Sequence, residues 1–171
     1  MNNKPTTRRW TDIRGLAVVA LDTGLKAGTV DDFYFETESN VVRGLRVKTG
    51  LSGFKELPTN GISAITRDTI TTANEERVIE ESHDGRIPTL PLGHSLLSCK
   101  VMSESGDLLG TVANIILNTH PPIALRIVTF ELAGGPGERI SKSHRSFSAQ
   151  EVARYERDVI VIFDQIARQL S

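Results

Sequence analysis

The chain has 171 residues, 39% hydrophobic and 24% charged, and its 20 basic and 21 acidic side chains give a formal net charge of −1. This composition excludes a disordered chain and argues against general nucleic-acid binding, which draws its affinity from a surplus of Lys and Arg on phosphate. The single cysteine, Cys99, excludes an internal disulfide, and no apolar run approaches the roughly 20 residues of a helical membrane span, so a soluble, cytoplasmic protein without membrane insertion is expected.

In chain order, a polar N-terminal tail over residues 1–11 precedes the strand-like run GLAVVAL, Gly15 to Leu21. The two glycines of DTGLKAG signal a hairpin. In the next strand, TVDDFYFE, the apolar Val30, Phe33 and Phe35 are spaced three and then two apart. An odd step breaks the alternation of faces and predicts a β-bulge near Asp31 and Asp32. A turn at ESN leads to a third strand, VVRGLRVKT. A short fourth strand follows at FKELP, then one helical turn at GISAI and a last strand at DTITTA. The stretch 74–92 reads as a linker, with two weak helical turns at EERVIEES.

The same order then recurs. Gly110-Thr-Val repeats Gly28-Thr-Val at an offset of 82, which sets Val19 on Val101, Ala17 on Cys99, Phe33 on Ile115 and Leu45 on Ile127. Further on the offset is 90, with Ile62 on Val152 and Ile65 on Tyr155, so the second copy holds about eight extra residues, expected within RISKSHRSFSAQE. The reading is a tandem duplication, residues 12–73 and 93–171. Near the C-terminus, Ser148-x-x-Glu151 is a capping-box pattern, and a helix over 149–156, a strand over 158–163 and a short helix near 164–170 are expected.

The order DTGLKAGTVDDFYFE…VRGLRVKTG…KELPTNGISAITRDTITT resembles the PRC-barrel family, as does SESGDLLGTVANIIL…ALRIVTFEL…RDVIVIF. The resemblance implies an all-β fold with minor helices: two small PRC-barrel-like β-barrels in tandem, packed together. Family members include the cytoplasmic domain of the photosynthetic reaction-centre H subunit and the C-terminal domain of a ribosome-maturation factor, where the barrel docks other macromolecules. Here the membrane anchor of the first and the N-terminal domain of the second are missing, so a stand-alone, bacterial tandem member is expected. Its second copy has Asn118 where the first has Glu36.

No convergent catalytic, cofactor or metal set emerges. His83, His94, His120 and His144 are far apart and read as loop residues. Cys99 lies in an alternating strand and reads as a buried filler. AGGPGE, Ala133 to Glu138, lacks the Gly-Lys-Ser/Thr ending of a phosphate loop and reads as a hairpin. Asp31 and Asp32 read as turn chemistry, because the second copy has Ala113 and Asn114. The candidate interaction surface is Trp10 together with Lys142, His144 and Arg145 of the inserted basic, hydroxyl-rich loop.

These observations lead to a non-catalytic protein-interaction or adaptor module, with no cofactor, whose partner is another protein or macromolecular complex and which is compatible with a homo-oligomer. One alternative is a small-molecule or metal-binding protein with its site between the barrels, using groups such as His94 or His144. Another is a ribosome- or RNA-associated factor, which would need Lys and Arg from both copies on one face.

Overall fold

The computed structural model describes residues 6–50, 53–80, 87–134 and 145–170. Strand β1 (Thr7–Arg9) runs into a single helical turn, α1 (Trp10–Ile13), and then β2 (Ala17–Ala20), β3 (Lys26–Phe35), β4 (Val42–Thr49) and β5 (Gly53–Pro58). A one-turn 3-10 helix, Thr59–Gly61, leads to β6 (Ile62–Ile65), β7 (Thr69–Thr72) and the short β8 (Ile79–Glu80). The second half holds β9 (Lys100–Ser103), β10 (Leu108–Asn118), β11 (Arg126–Ala133) and β12 (Arg145–Ser148). After the 3-10 turn Ala149–Glu151 come β13 (Val152–Glu156), β14 (Val159–Ile162) and the closing helix α2 (Asp164–Leu170).

The expected β-rich fold with few helices is what forms. One curled sheet has the order β6-β7-β2-β3-β4-β5-β8, and the other has β13-β14-β9-β10-β11-β12 with β1 added against β10. Apart from β8 in the first and β1 in the second, the two orders match element by element. In both, the last strand of the unit lies parallel to its first, Val18 beside Ile70 and Val101 beside Ile160. Both also break register at the same places. The bulge between Val30 and Asp32 has its counterpart between Val112 and Asn114, and that between Tyr34 and Phe35 its counterpart between Ile116 and Leu117. The odd spacing of apolar residues in TVDDFYFE is therefore the signature of a real bulge.

Several sequence expectations change. Gly28 opposes Val18 and Gly110 opposes Val101, so Val18, not Val19, is the counterpart of Val101. Both are fully buried, whereas Val19 is on the half-exposed face. Phe33 opposes Leu45 and Ile115 opposes Phe130, so Leu45 matches Phe130 and not Ile127. Three of the extra residues therefore sit in the turn before β11, and only the remainder precede β13. The expected helix over 149–156 is a single 3-10 turn followed by a strand. Ser148 does cap that turn, accepting from the Gln150 N–H at 3.2 Å. Val152 and Tyr155 then pair with Ile162 and Ile160 on β14, so strand pairing wins over the helical stripe. The same happens at GISAI, where Ile62 and Ile65 are strand residues. EERVIEES gives a 3-10 turn and the start of β8 in its described part, and residues 81–86 lie outside the described residues.

The stretches before β2 and before β9 are also counterparts, and each crosses to the other sheet. β1 pairs with the far end of β10, Arg9 beside Ile116. Leu92, before β9, pairs with Tyr34 of β3, and Pro91 accepts from the Phe35 N–H at 3.1 Å. Each unit is thus completed by an arm from the chain leading into the other. Between the sheets one core runs without interruption. Its aromatic rings form a chain: Trp10 to Phe33 at 4.8 Å, Phe33 to Phe35 at 5.9 Å, Phe35 to Tyr155 at 5.9 Å, and Tyr155 to Phe130 at 6.4 Å. Aromatic pairs of this geometry add about 0.5–1.5 kcal/mol each beyond the area they bury.

Gly28 is needed because of close approach rather than an unusual backbone angle. A Cβ there would lie 2.4 Å from Val47 Cγ1 and 2.7 Å from the Lys48 carbonyl oxygen. Gly110 differs, since its φ of 149° is the requirement. Gly28→Ala is expected to destabilise the protein by about 1–3 kcal/mol through overpacking against β4. Urea unfolding checks this, and an unchanged midpoint would refute the close approach.

Candidate functional site

The candidate residues separate in the structure. Trp10 is 1% exposed and stands edge-on to Phe33, so it closes the core and offers nothing to a partner. Arg145 is turned inward. Its guanidinium donates to the Leu109 carbonyl at 2.6 Å and to the Leu170 carbonyl at 2.8 Å, tying α2 to the sheet. It is therefore a structural clamp rather than part of a docking loop. Lys142 and His144 lie outside the described residues, as do His83 and residues 135–138 of AGGPGE. His120 is exposed in the turn before Pro121. Cys99 is buried, as expected, with its thiol donating to the Ser95 carbonyl at 2.9 Å, and burial pushes its pKa up.

Asp31 and Asp32, at the bulge that breaks the alternation of faces, take different partners. Asp31 pairs with Arg46 at 2.7 Å near the surface. Asp32 is 2% exposed. Its Oδ1 accepts from its own bulge partner, the Phe33 N–H, at 2.8 Å and from the His94 N–H at 3.1 Å. Its Oδ2 contacts His94 Nδ1. The counterpart in the second unit is Asn114, whose Oδ1 accepts from the Ile115 N–H at 2.8 Å and whose Nδ2 donates to Thr11 at 3.0 Å. Both side chains therefore cap a bulge and receive the other unit's arm. His94, which reads as a solvated linker residue in the sequence, is the arm's contact on Asp32.

A second set of residues meets where the units join. Val41 bridges Arg126 in antiparallel fashion. The Val42 N–H donates to the Leu125 carbonyl at 3.0 Å, and the Ile127 N–H donates to the Asn40 carbonyl at 2.9 Å. These residues are counterparts in the two units, so a local pseudo-twofold axis passes between Val41 and Arg126. On one side of it opens a cleft of 620 Å³, lined by Ser39 and Asn40 of the first unit and by Arg126, Gln150, Arg154 and Tyr155 of the second. Asn40 is held in the left-handed region at φ 63°, and its Oδ1 accepts from the Tyr155 hydroxyl at 2.6 Å. Burial pushes the Tyr155 phenol well above its ordinary range. Arg154 is engaged by Glu156 at 2.6 Å. Arg126 has no side-chain ion pair or hydrogen bond among the described residues, and its Nε is buried.

This cleft can hold an acceptor-rich group: it presents one unengaged guanidinium and an amide, with a phenol at its base. Sequence reasoning reached it only indirectly. Ile65 set on Tyr155 was the signal, an apolar position that becomes polar in the second copy. The changes of Val41 to Arg126 and of Leu125 to Asn40 were hidden by the offset assumed across the turn before β11.

Comparison with protein-family models matches residues 5–78 to the PRC-barrel domain. The match begins before β1 and so includes the arm that reads as a tail in the sequence. Among curated proteins, none matches the chain.

Two outcomes follow for these groups. Asp32→Asn should keep the bulge and most of the stability, because Asn114 performs the same capping. Asp32→Ala leaves the buried Phe33 N–H and the partly buried His94 N–H without their acceptor and should cost about 1–3 kcal/mol; equal losses for both in chemical denaturation would overturn the bulge-capping role. For Tyr155 the folded-state pKa is raised, so the folded protein holds the phenolic proton more tightly than the unfolded chain does. Its stabilising share is present below about pH 10, the ordinary tyrosine value, and is lost progressively above it. Tyr155→Phe should flatten the fall in stability above that pH, as read by thermal melts across an alkaline series.

Proposed function

Because the chain carries a PRC-barrel domain at residues 5–78, we propose that it is a non-catalytic interaction module, with a second unit that is a copy of the first, and that it holds a partner protein at the cleft between the units. The observation that carries this reading is the cleft itself: both units build it, it lies beside the axis that joins them, and it exposes an Arg126 without a partner among the described residues. A rigid seat on a shared core suits docking, because little conformational entropy is lost there on binding. The mixed polar lining and the absence of a nucleophile–base pair among the cleft residues fit binding better than covalent chemistry.

A second reading, a small-molecule binder, is supported by the cleft's volume of 620 Å³, which falls within the usual range for ligand pockets. The two readings separate in one experiment. The full chain, and a Gln150→Cys variant carrying a photo-crosslinker in the cleft, are used as bait in source-cell lysate with and without nuclease. Nuclease-resistant, cleft-dependent enrichment of one protein is expected. Capture that vanishes with nuclease, or a small molecule retained in native mass spectrometry with no crosslinked protein, would overturn the adaptor reading.

A further inference from the structure

The pseudo-twofold axis at Val41 and Arg126 creates two equivalent seats, one on each side. In one seat the protein fills the space with its own chain: Pro122–Ala124, a single 3-10 turn, lies against Thr59–Gly61 and β6. In the other seat the corresponding turn, between Phe35 and Val42, is three residues shorter than that between Leu117 and Ile127. The cleft beside Ala149–Glu151 and β13 is the space that a longer turn would occupy. The molecule therefore displays, in its own twin seat, the kind of group that fits: a short stretch of main chain.

The chemistry of the two seats differs at three counterpart positions. Val41, Leu125 and Ile65 stand on the filled side, and Arg126, Asn40 and Tyr155 on the open side. A turn with an apolar underside suits the first. The second demands acceptors. The Arg126 side chain has no hydrogen-bond acceptor among the described residues; its Nε is enclosed, which leaves the terminal Nη1 and Nη2 as the donors a ligand can reach. A carboxylate meets that pair in two parallel hydrogen bonds. Arg154 is already engaged by Glu156, so the cleft has one cation to offer and calls for one acid. Glu38, on the rim, disfavours a second. β13 is the last strand of its sheet, and its outer side has no strand partner among the described residues, so its backbone groups are available to an extended segment.

Resting on the interaction-module reading, we infer that the cleft binds an extended peptide segment of the partner, laid along the outer edge of β13, with a single Glu or Asp side chain on Arg126. The partner is thus recognised by an isolated acidic residue in a segment free to adopt strand geometry, not by a folded basic or nucleic-acid surface.

The test uses the full chain and two pooled sets of acetylated, amidated hexapeptides that differ only in Glu or Gln at the third position. Proline is omitted at every position so that main-chain hydrogen bonding remains available. Amide shifts in NMR report where each set binds, and titrations give its affinity. Shifts at Asn40, Gln150 and the β13 residues are expected, with the Glu set binding about tenfold or more tightly than the Gln set. Arg126→Gln should erase that preference while leaving weak binding, and Arg126→Lys should restore part of it; thermal melts of both variants establish that they are folded. Equal binding of the two sets at the cleft would overturn the acidic anchor and leave the interaction module standing. Binding of the Glu set at other residues, or no binding by either set, would overturn the cleft as a peptide seat. If the lysate experiment then still captures a protein, only this inference has failed; if it captures none, the interaction-module reading fails with it.

Discussion

The structure depends on a reciprocal exchange of arms about one antiparallel bridge. Val41 meets its own counterpart, Arg126, and the hydrogen bonds on either side come from counterpart residues as well. Around that bridge, Thr7–Arg9 completes the second sheet, and the chain at Pro91 and Leu92 borders the first. Arg9 reinforces the first arm with a bidentate pair on the nearly buried Glu131, at 2.8 and 3.2 Å. Arg8 donates from the same arm to the Thr66 and Arg67 carbonyls beyond β6. A sheet of about 60 residues by itself buries too little surface to be comfortably stable. Exchanging arms turns two such sheets into one core, with a continuous aromatic chain from Trp10 to Phe147.

Symmetry of this kind makes its exceptions informative. Where the two units agree, as at the bulge caps Asp32 and Asn114, the constraint is architectural: a bulge leaves an N–H that a short polar side chain satisfies. Where they disagree, the fold has no need of the difference. The turn before β11 is longer than its counterpart and closes one seat, and Asn40, Arg126 and Tyr155 replace apolar counterparts at the other. A buried amide held by a partly buried phenol beside an unengaged guanidinium adds little to stability that Leu, Ile and Val would not supply better.

Much of the architecture was legible in the chain itself. The Gly-Thr-Val phrases, the three-then-two spacing of Val30, Phe33 and Phe35, and the late offset of 90 led to the strands, the bulges and the equivalence of β6 with β13. The family resemblance rested on the same residues. The readings that changed were those that a local pattern leaves ambiguous. Ser148-x-x-Glu151 caps a helical turn of any length, so it could not say that the turn stops at Glu151. Arg145 in a basic loop looks like a binding residue until the carbonyls of Leu109 and Leu170 are seen around it.

The sequence by itself determined β2 to β5, β7, β9 to β11 and β14, the bulge at Asp31 and Asp32, and that the same order of elements occurs twice, because those features arise from neighbours along the chain: side-chain alternation, turn residues and β-branched runs. The tertiary structure alone decided that Trp10 is core rather than surface, that the two arms cross between units, and that Asn40, Arg126 and Tyr155 face one cleft. Those facts depend on contacts between residues as far apart as Asn40 and Tyr155. Long-range pairing is fixed by the register of whole sheets against each other, and a shift of three residues in one turn is enough to move every counterpart that follows it.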